Sequence, residues 1–151
     1  MHSNAGASYK KGDKVKALKW QIVNKLTSDA TYLSLMGSPT VKPYNTYWFK
    51  PPDKPTFPEV VLNISSGEND VEMDGSILSG RFTLGVNVWS KSDEYESIAE
   101  RIIQLLHQNP ETDTLGFRAV YTGSDEDLID DTFAVYGKRI SFNVYYRRAL
   151  I

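Results

Sequence analysis

The sequence predicts an α+β fold, a two-layer sandwich in which helices pack on one face of a four-stranded, mainly antiparallel sheet. Residues 82–88 alternate apolar and polar side chains, as a half-buried strand does. Residues 98–106 then place apolar side chains at helical spacing along one stripe. A strand that leads directly into an amphipathic helix must fold that helix back over the sheet, which predicts two layers.

Length and composition predict one domain that is built without disulfides. The chain has 151 residues and no cysteine, which excludes disulfides, thiolate catalysis and cysteine-ligated metal sites. A formal charge of −2 argues against a general nucleic-acid binder. No run approaches the ~18 apolar residues of a membrane span. We therefore expect that the protein does not associate with a membrane and that it is assembled in the cytoplasm.

The first part of the domain is predicted to hold two helices. Residues 1–12 are small and polar and predict a flexible N-terminal tail, followed by a single domain over 13–151. Asp13 is expected to cap a helix whose apolar face ends at Leu26, with lysines on the other face. Those lysines face either solvent or an acidic partner. Ser28 or Asp29 is expected to cap a second, short helix that Gly37 closes.

A proline-rich arm over 39–58 follows the second helix. Its prolines exclude an interior strand or a regular helix. The arm is also rich in aromatic side chains, which rarely lie free in water. It is expected either to cover its own core or to dock on a neighbouring subunit. The aromatic residues are Tyr44, Tyr47, Trp48, Phe49 and Phe57.

Four strands are predicted after the arm. The first covers 60–64, and a turn-rich acidic connection over 65–80 leads to the second at 82–88. Asp93 and Glu96 then suggest a capping box at the start of the following helix. A third strand over 117–122, an acidic loop over 123–131 and a fourth strand over 132–148 complete the sheet. A right-handed crossover predicts the spatial order 1-2-4-3.

No constellation for catalysis, cofactor binding or metal binding is visible. His107 lies near the end of a predicted helix, where it is expected to be a capping or surface residue. The acidic loop lacks the ligand order of an EF-hand. It is expected to be a solvated hairpin tip, a protein contact, or the lining of a passage from which it repels DNA phosphates. We expect no enzyme activity and no cofactor.

Several segments together resemble a known family. They are the short second helix over 26–37, the segment Phe57-Pro58-Glu59-Val60-Val61-Leu62, and the strand over 82–90 leading to a helix with Ile98, Ala99 and Ile102. A closing pair of strands completes the pattern, which spans roughly 15–148. This layout resembles the tail-terminator, or tail-completion, proteins of long-tailed bacteriophages.

The resemblance implies a structural protein of the virion, located at the junction of tail and neck. Such proteins form a ring, usually a homohexamer, on the tail tube protein. The ring stops tail polymerisation and presents a docking surface to the head-side connector or stopper protein. DNA passes through the ring without specific binding. Another neck or tail component, such as a stopper or a tube-like subunit, and a protein-binding module unrelated to phages are the alternatives.

A closed ring needs two different surfaces that complement each other. The basic first helix and the acidic loop are candidate complementary patches. The aromatic arm is a candidate anchor, since binding hot spots favour Trp and Tyr. The candidate interface residues are Lys14 in the helix, Asp125, Glu126 and Asp127 in the loop, and Tyr47, Trp48 and Phe49 in the arm.

Overall fold

The computed structural model describes residues 11–71, 77–107 and 117–147 of the chain. Within these ranges the chain forms three helices and five strands in an α+β arrangement. Their order is α1 (Lys11–Thr27), α2 (Ala30–Leu35), β1 (Thr46–Trp48), β2 (Glu59–Val71), β3 (Ile77–Ser90), α3 (Glu94–Leu106), β4 (Phe117–Asp130) and β5 (Val135–Arg147). The predicted tail over 1–12 lies mostly outside the described residues.

The strands form one sheet in the order β1-β2-β3-β5-β4. The strands predicted as first to fourth are β2, β3, β4 and β5, so the predicted order 1-2-4-3 is confirmed. The number of strands was wrong, because the arm contributes β1, which pairs in parallel with the start of β2. This strand is possible because its three residues are free of proline and it lies at the edge of the sheet.

The core lies between one face of the sheet and the three helices. Alternate residues of β3 and β5 are buried, as the period of two in a strand requires. The predicted helical stripes of α1 and α3 are buried against them, and each fully buried aliphatic side chain contributes roughly 1.5–3 kcal/mol. The main residues are Phe82, Leu84, Val86 and Val88, then Ile140, Phe142 and Val144, with Leu18, Ile22, Leu26, Ile98, Ile102 and Leu106 from the helices.

Two segments predicted as acidic loops are strands. Pairing of β2 with β3 continues from Ser65 opposite Thr83 to Val71 opposite Ile77, so most of 65–80 is sheet. In β4, the register is interrupted after Tyr121 and resumes at Asp125. A bulge around Gly123, whose φ is +77°, breaks the alternation that sequence patterns rely on. Beyond the bulge, basic residues of β5 lie opposite the carboxylates of β4, and this opposite charge favours the pairing of the two strands.

The helix caps agree only in part with the predictions. Asp29 caps α2, since its Oδ2 accepts the Tyr32 N–H at 2.7 Å. Gly37 follows with a φ of +85°, as predicted. The cap at Asp13 was wrong, because α1 begins at Lys11.

The predicted capping box of α3 was also wrong. Asp93 occupies the N-cap position without a side-chain bond, and Ser90 Oγ accepts the Tyr95 N–H at 2.9 Å instead. Glu96 accepts from Lys138 Nζ on β5 at 2.9 Å. Lys138 of β5 therefore binds the Glu96 carboxylate that a capping box requires.

Candidate functional site

The aromatic arm is fixed to its own domain by buried polar contacts. Tyr32 OH and Thr46 Oγ1 lie 2.8 Å apart, and both residues are buried. The Phe49 N–H donates to the Leu62 carbonyl at 2.7 Å, which continues the pairing of β1 with β2. The residues of β1 therefore cover the core of their own domain, which is the first of the two alternatives for the arm.

The three aromatic residues predicted as an anchor have different environments. Successive residues of a strand point to opposite faces, so Trp48 faces the helices and Tyr47 faces away from them. Trp48 packs against the core, and its buried Nε1 has no hydrogen-bond partner. Burial and the nearby Glu59 raise the pKa of Tyr47. Phe49 is about half exposed and has a φ of +66°.

An aromatic groove lies between α1 and β1. It has a volume of about 390 Å³. Lys19 Nζ stands 4.8 Å from the centre of the Phe49 ring and 5.8 Å from that of Trp48, within the range of cation–π attraction. The groove therefore combines apolar surface with positive charge. Its lining residues are Lys19, Trp20, Val23, Pro43, Thr46, Tyr47, Trp48 and Lys50.

The acidic hairpin, residues 125–136 of β4 and β5, is the second candidate surface. Asp125, Glu126 and Asp127 are exposed, as are Asp131 and the apolar Ile129 beside them. Ile129 pairs with Tyr136 across the two strands, and both are exposed. The hairpin thus presents carboxylates together with apolar side chains.

Part of this negative charge is compensated by neighbouring residues of β4 and β5. Glu126 forms an ion pair with Arg139 at 3.4 Å, whereas Lys138, opposite Asp127, forms its ion pair with Glu96 of α3. The Tyr121 hydroxyl donates to Asp125; burial, and then this carboxylate, raise the pKa of Tyr121 to about 12. Asp131 has no such compensation among the described residues.

The predicted site residues therefore fall on two surfaces. The groove adjoins β1 and the acidic hairpin contains β4, and these strands form the two edges of the sheet. By register, Asp125, Asp127 and Ile129 share the helix-bearing side of the sheet with the groove. Lys14 lies in α1, but its side chain lies outside the described part of the chain.

Sequence reasoning missed several residues of both surfaces. Trp20 is 68% exposed, on the lysine-rich side of α1, where an apolar residue departs from the amphipathic pattern. Ile129 is 69% exposed, within the stretch that the sequence predicts to be an acidic loop. An exposed large apolar residue inside a charged segment was the signal available in both cases.

His107 has the structural role that the sequence predicted. It is the C-cap of α3, and its Nδ1 accepts the Tyr121 backbone N–H at 2.9 Å. It thereby joins the end of α3 to β4. In the described ranges, no three His, Asp or Glu side chains gather as a metal site requires. None of the described helices is both long and apolar enough to cross a membrane.

Comparisons with known proteins give a fold neighbour. No protein-family model and no curated protein sequence matches the chain. Among solved structures, it is similar to a chain described as belonging to the virion of a native gene transfer agent particle. The TM-score is 0.61, the sequence identity is 12%, and the match covers 96% of this chain and 99% of that chain. At this identity the likeness shows the shared fold.

Proposed function

We propose that this chain is a structural protein of a phage-like virion that caps the tail tube as a ring. The observation that carries the proposal is the fold shared over nearly the whole of both chains with a protein of a gene transfer agent virion. The segments that resemble tail terminators point the same way. Two unlike surfaces at opposite sheet edges supply what a heterologous, ring-closing contact needs.

In the proposed assembly the ring, a homohexamer, sits on the last ring of the tail tube protein. It stops tail polymerisation, and its other side receives the head-side connector or stopper protein. DNA passes through the lumen without specific binding, in keeping with a formal charge of −2. The protein works at the tail-neck junction after assembly in the host cytoplasm. It needs no catalysis and no cofactor for this role.

The test is to remove the chain from the particle-producing system and to examine the particles by negative-stain electron microscopy. We expect tails of uncontrolled length and heads without tails, and both defects should disappear when the wild-type chain is supplied. Tails of normal length joined to heads would contradict the proposal.

Light scattering of the purified chain at two concentrations supplies a second readout. We expect a discrete species near six subunits, since a ring closes and then stops growing. Long polymers that grow with concentration would instead favour a tube-like subunit.

A further inference from the structure

We propose that the aromatic groove of one copy of this chain binds the acidic hairpin of the next copy. The proposed ring closes through this contact. The inference therefore rests on the proposed function, and it names the two surfaces by which neighbouring subunits bind. The occupant of the groove is thus a second copy of the chain. Four properties of the described residues support the pairing.

The first property is where the exposed apolar side chains lie. Exposed apolar clusters on a folded domain mark sites of interaction. Tyr145, on the sheet face opposite the helices, belongs to neither of two such groups. The first group, Trp20 and Phe49, lies in or beside the groove, and the second, Ile129 and Tyr136, lies on the acidic hairpin. Phe133 at the hairpin tip is also exposed, but its ring lies 6.0 Å from the Phe57 ring of the same copy.

The second property is complementary charge. Among the described residues, no carboxylate lies within ion-pair distance of Lys19 or Lys50, which line the groove. Residues 125–131 of the hairpin contain more carboxylates than there are basic residues opposite them. The two basic residues are Lys138 and Arg139. Opposite charge on the two surfaces favours their encounter and disfavours the contact of like surfaces.

The third property is an unsatisfied donor in the groove. Trp48 lines the groove, and its buried Nε1 has no acceptor. A buried donor without a partner costs about 1–3 kcal/mol. Because Nε1 is itself buried, a carboxylate or a carbonyl oxygen of the incoming hairpin accepts this hydrogen bond only when the Trp48 side chain turns towards the groove.

The fourth property is the position of the two surfaces on the molecule. They adjoin opposite edges of the sheet, and the hairpin tip of the same copy contacts the arm at Phe57, which does not line the groove. A groove-to-hairpin contact therefore leaves a free hairpin on one copy and a free groove on the other. Repetition of such a heterologous contact gives a ring when the rotation closes.

The test is charge reversal in the full chain, followed by light scattering and sedimentation. The groove variant carries Lys19→Glu and Lys50→Glu, and the hairpin variant carries Asp127→Lys and Asp131→Lys. Each variant alone should lose roughly tenfold or more in association, because attraction becomes repulsion. A 1:1 mixture should recover assembly, since the intact surfaces meet and the two reversed surfaces also match.

Controls are Glu100→Lys on α3 and Arg118→Glu on the sheet face opposite the helices, which are exposed and line neither surface. Both should assemble like the wild type, and circular dichroism should show that every variant is folded. Wild-type assembly by either surface variant, failure of the mixture of folded variants, or a wild type that stays monomeric at all soluble concentrations would overturn the inference.

The outcomes separate this inference from the proposed function. If the surface variants assemble like the wild type while removal of the chain gives tails of uncontrolled length, the capping function stands and the surfaces are wrong. If the variants and their mixture behave as expected while removal leaves normal particles, the contact stands and the capping function is wrong.

Discussion

Glu59, at the start of β2, is a carboxyl group buried without full hydrogen bonding. The residue is 3% exposed, and its Oε2 has no partner. Burial raises the pKa of Glu59 from 4.5 to about 7, because the ionised form loses its hydration without gaining a compensating contact. The folded protein therefore retains a proton on Glu59 at a pH where the unfolded chain has released it.

This linkage predicts how pH affects stability. The pKa of Glu59 is raised on folding. Its stabilising contribution to the free energy of unfolding is therefore fully present below pH 4.5 and is lost as the pH rises through about 7. Glu59→Gln should unfold like the wild type near pH 4.5 and be more stable at pH 8, by on the order of 1–3 kcal/mol. Urea unfolding at both values measures the difference, with the exposed Glu100→Gln as control. An equal decline with pH in wild type and Glu59→Gln would contradict the assignment.

At the scale of elements, the arm separates into a part that stabilises its own domain and a part that is free to act outside it. Trp48 packs on the core, whereas the neighbouring Phe49 is about half exposed in a left-handed backbone conformation. The Phe49 ring contacts the tilted Trp48 ring and Lys19, and about half of the residue remains in solvent. The two aromatic residues should therefore respond differently to removal.

Trp48→Ala should lower the free energy of unfolding of the monomer by about 2–4 kcal/mol, because it leaves a cavity beside the core. Phe49→Ala should lower it by less than about 1 kcal/mol and weaken self-association instead. Thermal unfolding and light scattering of the two single variants separate these effects. Equal losses of stability would show that Phe49 also belongs to the core.

At the scale of the whole molecule, the central strands β3 and β5 join two hairpins into one sheet. One hairpin consists of β2 and β3, and the other of β4 and β5. Pairing of β3 with β5 runs from Ser79 opposite Arg147 to Ser90 opposite Tyr136. Since α3 packs across this junction, the stability of the molecule should be concentrated there.

Two substitutions on the same strand test this prediction. Phe142→Ala, at a fully buried position of β5, should cost about 3–5 kcal/mol. Tyr145→Ala, on the opposite face of β5, should cost less than about 1 kcal/mol. Urea unfolding measures both values, and hydrogen exchange should be slowest in β3 and β5. Similar costs at the two positions would show that both faces of the sheet are packed.

Much of this architecture was predictable because its apolar periodicity is regular. The stripe of α3 and the alternation of β3 gave the layers, and the crossover rule gave the order of four strands. The strand in the arm escaped prediction because parallel pairing depends on the distant residues 60–62. The acidic part of β4 escaped because Gly123 shifts its phase and its partners lie on another strand.

The candidate site was less predictable than the fold. Composition indicated the aromatic arm and the acidic segment, and both contribute to surfaces of the structure. It gave no sign that Trp48 turns inward while Phe49 turns outward, since that division depends on backbone conformation. The contributions of Trp20 and Lys19 depend on the placement of α1 against β1, which only tertiary packing determines.

The position of β5 between β3 and β4 has a consequence for the nascent chain. The strand synthesised last among those described, β5, occupies an interior position of the sheet. Until translation passes Arg147, the edge of β3 that pairs with β5 has no partner. The apolar residues of β3 are then not covered by Ile140, Phe142 and Val144. An open edge next to exposed apolar surface invites aggregation. A ribosome that stalls between β4 and β5 thus releases a product that is prone to aggregate, although most of its sheet has already been made.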